Sequence, residues 1–121
     1  MTLGKTSLAG FGIALVWLAA SPAQATGFDG RWEFVLTTTV GECEKALPGA
    51  FTVRGLDIDP DGQSPLKAAG AIEKSGSMWS RLTAGQHVYR IQGRFRGAAA
   101  SGAWSSGSRY CGGNWRASRV R

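Results

Sequence analysis

Two hydrophobic patterns divide this chain. Residues 8–20 form an uninterrupted apolar run, whereas the rest of the chain alternates apolar and polar residues in short stretches separated by turn residues. The clearest alternation, residues 31–37, places Trp32, Phe34 and Leu36 on one face. Because successive side chains of a strand point to opposite faces, this pattern predicts β-strands with one buried face each.

The alternating stretches predict about seven strands with short connections, which favours an antiparallel meander. The predicted strands are residues 31–37, 51–58, 66–73, 78–83, 87–96, 101–105 and 114–120. The alternation changes phase at Gly55, which predicts a β-bulge there. We expect residues 40–48 to form a short helical turn. The fold class is therefore all-β, either a small barrel-like meander, which removes exposed edges, or a two-layer sandwich.

The beginning of the chain has the pattern of an export signal. Lys5 precedes the apolar run, and Ala23-Gln24-Ala25 presents the small residues that signal peptidase recognises. We predict a signal peptide at residues 1–25 and a single β domain at 26–121. The run is shorter than the roughly 20 residues that cross a bilayer as a helix, and no second one follows, so we expect no transmembrane segment after cleavage. The predicted location is the periplasm or the exterior of the cell.

Cys43 and Cys111 are the only cysteines of the chain. In an exported protein a disulfide is the expected state of such a pair, with two free thiols as the alternative. The bridge would join the connection after the first strand to the start of the last strand.

Charge is unevenly distributed along the chain. From residue 26 to residue 73 there are eight acidic and four basic residues, whereas from residue 74 onward there are nine basic residues and no acidic one. Arg90, Arg94 and Arg96 alternate on one face of the longest predicted strand and are the candidate binding residues. A surface of one sign attracts anions. The alternatives are a solvated face that aids solubility, or cancellation of the field by the acidic half.

The sequence lacks the residue patterns of common catalytic and metal sites. His87 is the only histidine, and there is no Cys-x-x-Cys pair. Residues 57–62 match the start of a calcium loop, but Ala68 occupies the position of the bidentate glutamate, so we predict an ordinary acidic turn. We therefore expect no catalytic residues, no metal and no cofactor. Nucleic-acid binding is not expected either, because most aromatic residues are predicted to point inward.

Four short motifs carry a resemblance when they are taken in order. They are Phe28-Asp29-Gly30-Arg31-Trp32, Gly41-Glu42-Cys43-Glu44, Gly102-Ala103-Trp104 and Cys111-Gly112-Gly113-Asn114-Trp115-Arg116-Ala117. The chain resembles a group of short, uncharacterised exported β-rich proteins of alphaproteobacteria, and the resemblance implies a secreted β domain without implying an activity. The opening Gly30-Arg31-Trp32 is also similar to the Gly-x-Trp start of lipocalin-like and avidin-like barrels.

The combined features predict an exported, non-enzymatic β domain that acts by binding. The expected partner is an anionic envelope component, such as an acidic polysaccharide or lipid phosphate, or another protein. The alternative is a small-ligand carrier of lipocalin or avidin type. A barrel of about seven short strands is filled largely by its own side chains, which favours binding on the outside.

Overall fold

Eight antiparallel strands close into one barrel in the computed structural model, which describes residues 27–120. The strands are β1 (Gly30–Val40), β2 (Ala46–Arg54), β3 (Asp57–Pro60), β4 (Lys67–Ile72), β5 (Ser77–Ala84), β6 (His87–Arg96), β7 (Ala99–Ser106) and β8 (Cys111–Val120). The predicted signal peptide, residues 1–25, lies outside the described residues. Within residues 27–120 there is no helix with the length and hydrophobicity needed to cross a membrane.

Pairing of the first strand with the last one closes the barrel. β1 and β8 pair from Arg31 opposite Val120 to Val40 opposite Gly112, with an irregularity near Thr38. Every other strand pairs with its neighbours in the sequence. The predicted antiparallel, barrel-like meander is thus confirmed, and the two-layer sandwich does not occur.

The phase change at Gly55 is a strand reversal, so the predicted bulge is wrong. Arg54 pairs directly with Asp57, and Gly55 and Leu56 form the tight turn between β2 and β3. Gly55 has φ of 66°, a conformation that glycine adopts without the steric cost of a side chain. The segment 51–58 is therefore parts of two strands, and this raises the number of strands from seven to eight.

The helical turn expected at residues 40–48 is also wrong. Ala46 already lies in β2 opposite Thr37, and Pro48 lies opposite Val35. This half of β1 needs a partner on each side for the barrel to close, and β2 supplies the backbone hydrogen bonds on one side. The acidic turn predicted within residues 57–62 likewise begins later, because Asp57–Pro60 form β3; the turn that follows is closed by the backbone N–H of Ser64, which donates to the carbonyl of Asp61.

The interior is built from the predicted alternating faces. The buried side chains include Trp32, Phe34, Leu36, Tyr89, Ile91, Phe95, Trp104, Trp115 and Ala117. Each buried indole N–H has an acceptor: the carbonyl of Phe28 for Trp32, those of Thr37 and Asn114 for Trp104, and that of Gln92 for Trp115. Buried donors with partners avoid the cost of losing water, so these tryptophans fill the barrel and hold strands together.

The two ends of the barrel are closed differently. At one end, which we call the disulfide rim (residues 41–45, 61–66, 85–86 and 107–110), the predicted bridge between Cys43 and Cys111 is confirmed, with a Cα–Cα distance of 6.0 Å. At the other end, the terminal rim (27–29, 55–56, 73–76 and 97–98), Arg119 lies over the ring of Trp32 and donates to the carbonyls of Gly27, Asp29 and Gly97.

Candidate anion-binding surface

The three arginines singled out in the sequence lie on the outside of β6. Arg90, Arg94 and Arg96 are exposed, whereas Ile91 and Phe95 of the same strand are buried. The guanidinium of Arg94 donates a hydrogen bond to the carbonyl of Ser75 at 3.1 Å. This bond orients the side chain, and because a carbonyl is uncharged it does not neutralise the positive charge. The strand thus presents its basic residues on one side of the barrel, as its alternation predicts.

Two further arginines join this surface from neighbouring strands. Arg81 of β5 lies directly opposite Arg90, and Arg116 of β8 lies opposite Ser101 of β7, which in turn lies opposite Arg94. We call the five exposed arginines the basic face: Arg81, Arg90, Arg94, Arg96 and Arg116. Sequence reasoning misses the contribution of Arg81. Its position between the buried Ser80 and Leu82 could have indicated an outward side chain.

No acidic side chain of the described residues forms a salt bridge with an arginine of the basic face. Among residues 27–120 there are four salt bridges: Arg31 with Glu33 and with Asp61, Arg54 with Asp59, and Arg109 with Glu44. Three of the four lie within the acidic half of the chain, and none includes an arginine of the basic face. The acidic half therefore forms one ion pair with the basic half, between Glu44 and Arg109, and none with the five arginines of the basic face.

Two of the paired carboxylates, Asp61 and Glu44, have lowered pKa values. The guanidinium of Arg31, 2.8 Å from the Asp61 carboxylate, and then the backbone N–H of Gln63 hold the pKa of Asp61 below its usual value. The pKa of Glu44 is lowered by its own backbone N–H and by Arg109. The hydrogen bond to Asp61 is also the main reason why the pKa of Arg31 is raised. The acids are stabilised in their charged forms next to cations of their own, because a nearby opposite charge favours ionisation.

A broad groove crosses the basic face. It has a volume of about 900 Å³ and lies over β6, β7, β8 and β1. Small side chains, among them Ala99 and Ser101 of β7, form its floor, and Arg94, Arg96 and Arg116 line it. It is lined by Glu33, Phe34, Val35, Arg94, Arg96, Ala99, Ala100, Ser101, Arg116, Ala117 and Ser118. Three guanidinium groups against the single carboxylate of Glu33 give this open trough a positive balance, and an extended anion can occupy it.

A second groove, of about 380 Å³, lies over β5, β6 and β7. Trp79 lines it with 59% of its surface exposed, together with Gln92, Ala103 and the opposed pair of Arg81 and Arg90. The expectation that most aromatics point inward thus has an exception on the basic face itself. Trp79 alternates with the buried Met78 and Ser80, and this pattern could have identified it.

The inside of the barrel is filled. The cavity among its core side chains measures about 10 Å³, at the lower limit of the space that one water molecule needs. It is lined by Phe34, Leu36, Phe51, Met78, Ser80, Leu82, Ile91 and Trp115. The closed barrel is compatible with a carrier of lipocalin type, and this cavity among the core side chains is far smaller than the two grooves outside. The grooves outside are therefore the larger candidate sites.

Neither the histidine nor the acidic run forms a recognisable chemical site. The hydroxyl of Ser108 lies 3.5 Å from Nδ1 of His87, at the limit of a hydrogen bond, and already accepts the backbone N–H of Val88. Asp59 and Asp61 are engaged by arginines. The described part of the chain contains no group of three or more histidine, cysteine or acidic residues placed to hold a metal ion.

Neither a protein-family model nor a curated protein matches this chain. The resemblance to exported alphaproteobacterial proteins therefore stays a prediction, and the function has to be argued from the surface itself.

Proposed function

We propose that this protein is exported and that its β domain, residues 26–121, binds polyanions through the basic face without catalysing a reaction. The observation that carries the proposal is the set of five exposed arginines that have no salt bridge within residues 27–120. The acidic half supplies eight carboxylates, yet its ion pairs form elsewhere. An outer face that leaves its positive charge available is suited to a negatively charged partner.

The pairing of Arg81 with Arg90 strengthens this proposal. The two residues lie directly opposite each other on adjacent strands. Like charges in such positions destabilise a sheet, so the pair is unfavourable unless an anion lies between the guanidinium groups. An anionic envelope component, either an acidic polysaccharide or a lipid phosphate, would supply that charge.

The test of the basic face is retention on an anionic matrix and on a neutral one. We expect Arg90→Gln, Arg94→Gln and Arg96→Gln together to weaken binding at low salt about tenfold, since each exposed charge contact contributes on the order of 0.5 kcal/mol. Binding of the wild type should also fade as salt shortens the range of electrostatic attraction to below 10 Å.

A matched control removes the same number of charges elsewhere. Lys45, Arg54 and Lys67 are exposed residues of the acidic half. The variant with glutamine at all three should keep most of the binding, because only charges near the ligand act strongly. Equal retention of the wild type and the basic-face variant at low salt would refute the proposal, and so would equal loss in the two triple variants.

Export is tested separately from binding. Cleavage after Ala25 should give a mature protein that begins at Thr26. The measurement is the intact mass of protein recovered from the periplasm or the medium of a bacterial host. Recovery of the uncleaved chain in the cytoplasm alone would contradict the proposed export and leave the binding result unaffected.

A further inference from the structure

Trp79 is exposed, in contrast to the other tryptophans of the described chain. Trp32, Trp104 and Trp115 are each at most 4% exposed, whereas Trp79 is 59% exposed. Its neighbours on the outer face are polar or small, so it is not part of a larger apolar patch. A single exposed aromatic side chain is common on protein surfaces, so the groups beside Trp79 decide whether it can belong to a binding site.

The strand register places Trp79 beside hydrogen-bonding groups and positive charge. Gln92 lies directly across from Trp79, and Ala103 lies across from Gln92. The next outward row contains Arg81 and Arg90, which lie opposite each other. The small side chain of Ala103 leaves the space above Gln92 open, which creates the second groove of about 380 Å³.

We propose that this second groove is a subsite for a sugar ring that carries a negative charge, so that the partner of the basic face is an acidic polysaccharide. The inference rests on the proposed function, since it names the class of polyanion that the face binds. The apolar C–H face of the sugar stacks on the indole of Trp79, whose ring face is negative. The sugar hydroxyls bond to the amide of Gln92, and its carboxylate or sulfate bonds to Arg81 and Arg90.

The composition of the groove favours a polysaccharide over a lipid surface. Membrane-binding faces combine several large apolar residues with basic ones. The other large apolar side chains that are exposed within residues 27–120, Val40, Leu56 and Tyr110, lie at or beside the two rims and not next to Trp79. A single indole among glutamine, alanine and arginine presents too little apolar surface to enter a bilayer boundary.

The same groove is less suited to single-stranded nucleic acid. Proteins of that class stack successive bases on successive aromatic side chains. Within residues 77–106, which form β5, β6 and β7, Trp79 is the one large aromatic residue that is exposed. One ring beside two arginines fits one charged sugar unit of a longer chain.

The second groove and the broad groove lie along the same strand, β6, and share no lining residue. Arg90 lines the second groove, and Arg94 lines the broad one. Four residues along a strand span about 13 Å, so a ligand must be a polymer to contact both arginines. A chain that places one sugar on Trp79 can therefore extend across the basic face.

The experiment compares three polymers, so that the contribution of the sugar ring to binding can be separated from that of the negative charge. Polygalacturonate has sugar rings and carboxylates, its methyl-esterified form has rings without the charge, and inorganic polyphosphate has charge without rings. We expect Trp79→Ala to weaken the binding of polygalacturonate about tenfold, the effect of losing one stacked ring, and to leave polyphosphate binding unchanged. Trp79→Phe should retain most of the affinity. The esterified polymer should bind weakly to every variant.

Two further measurements control for folding. Tyr110 is an aromatic residue at the disulfide rim with 84% exposure, so Tyr110→Ala is a matched change away from the groove and should leave binding unaltered. In the wild type, polygalacturonate should shield Trp79 from quenching by acrylamide. That signal reports on the groove because the other described tryptophans are buried.

The outcomes separate this inference from the proposed function. If Trp79→Ala binds polygalacturonate as tightly as the wild type, while the variant of Arg90, Arg94 and Arg96 does not, the sugar subsite is refuted and the basic face survives. If Trp79→Ala weakens polyphosphate equally, Trp79 has a structural role and the inference fails. It fails also if Trp79 proves necessary for binding phosphatidylglycerol vesicles or oligo(dT) and not for polygalacturonate.

Discussion

The wall formed by β1 to β4 and the wall formed by β5 to β8 both carry charge on their outer surfaces, but they differ in how that charge is satisfied. On the first wall, Arg31 and Arg54 contact carboxylates of the same wall or its adjoining loops. On the second wall, Arg81 faces Arg90, and no described acid pairs with either residue. The first wall thus resembles an ordinary solvated surface, whereas the second leaves its arginines without a salt bridge, which is the basis for the anionic partner that we propose. Net charge alone would not have distinguished these two arrangements.

The largest effect that we predict concerns the covalent link between the two walls. Cys43 belongs to the half of the chain that forms the first wall, and Cys111 begins the last strand of the second, at a sequence separation of 68. Replacing both by alanine should lower the free energy of unfolding by about 4 kcal/mol, because a loop of this length restricts the unfolded chain strongly. Urea denaturation of the purified variant would measure the change.

The control for this prediction is chemical reduction. A reductant should destabilise the wild type by a similar amount and have no effect on the variant that lacks both cysteines. For a domain with a total stability of about 5–15 kcal/mol, the loss would be a large fraction. A change below about 1 kcal/mol would show that pairing of β1 with β8 holds the walls together without the bridge.

Two substitutions, one on each wall, should change the free energy of unfolding in opposite directions and by smaller amounts. They test the difference between the walls directly. Arg90→Gln should raise the free energy of unfolding by about 0.5 kcal/mol, since it removes the repulsion with Arg81. Arg31→Gln should lower it, since Arg31 donates to both Asp61 and Glu33. Thermal denaturation at low salt would measure both changes, and both should shrink at high salt. Effects of the same sign would contradict the contrast.

The dependence on pH sharpens this comparison. The pKa of Asp61 is lowered in the folded protein, mainly by Arg31, so its contribution is present above the unfolded value of about 3.9 and is lost as the pH falls through the folded value. The difference between the wild type and Arg31→Gln should therefore diminish below about pH 4. The effect of Arg90→Gln should persist there, because repulsion between two arginines does not depend on an acidic partner.

Most of the fold prediction rests on the local alternation of apolar and polar residues. It identified the strands that contain Trp32 and Tyr89 and the direction of their side chains, because each pattern spans a whole strand. It misread Gly55, since a bulge and a tight turn change the phase of alternation in the same way and differ only in what pairs across them. The four residues of β3 are too short to show a period of their own.

The candidate site was predictable only in part, for a related reason. Arg90, Arg94 and Arg96 are visible in sequence because they share one strand. The pairing of Arg81 with Arg90 depends on the register between two strands, which no single stretch of sequence contains. The position of Trp79 beside Gln92 depends on the same register. A surface site whose residues come from several strands can therefore be predicted only when the pairing and register of those strands are known.

Closure of the barrel through β1 and β8 makes the order of the strands cyclic. The described chain enters and leaves at the same rim, where Arg31 lies opposite Val120. A short linker between residues 120 and 27, with a new start at the exposed turn of Gly85 and Gln86, would give a circular permutant in which every strand keeps both neighbours. Its β5 and β6 would stand at opposite ends of the sequence, yet Arg81 would still face Arg90. The arrangement of these side chains thus depends on which strands are neighbours in the closed barrel and not on the order of the strands in the sequence.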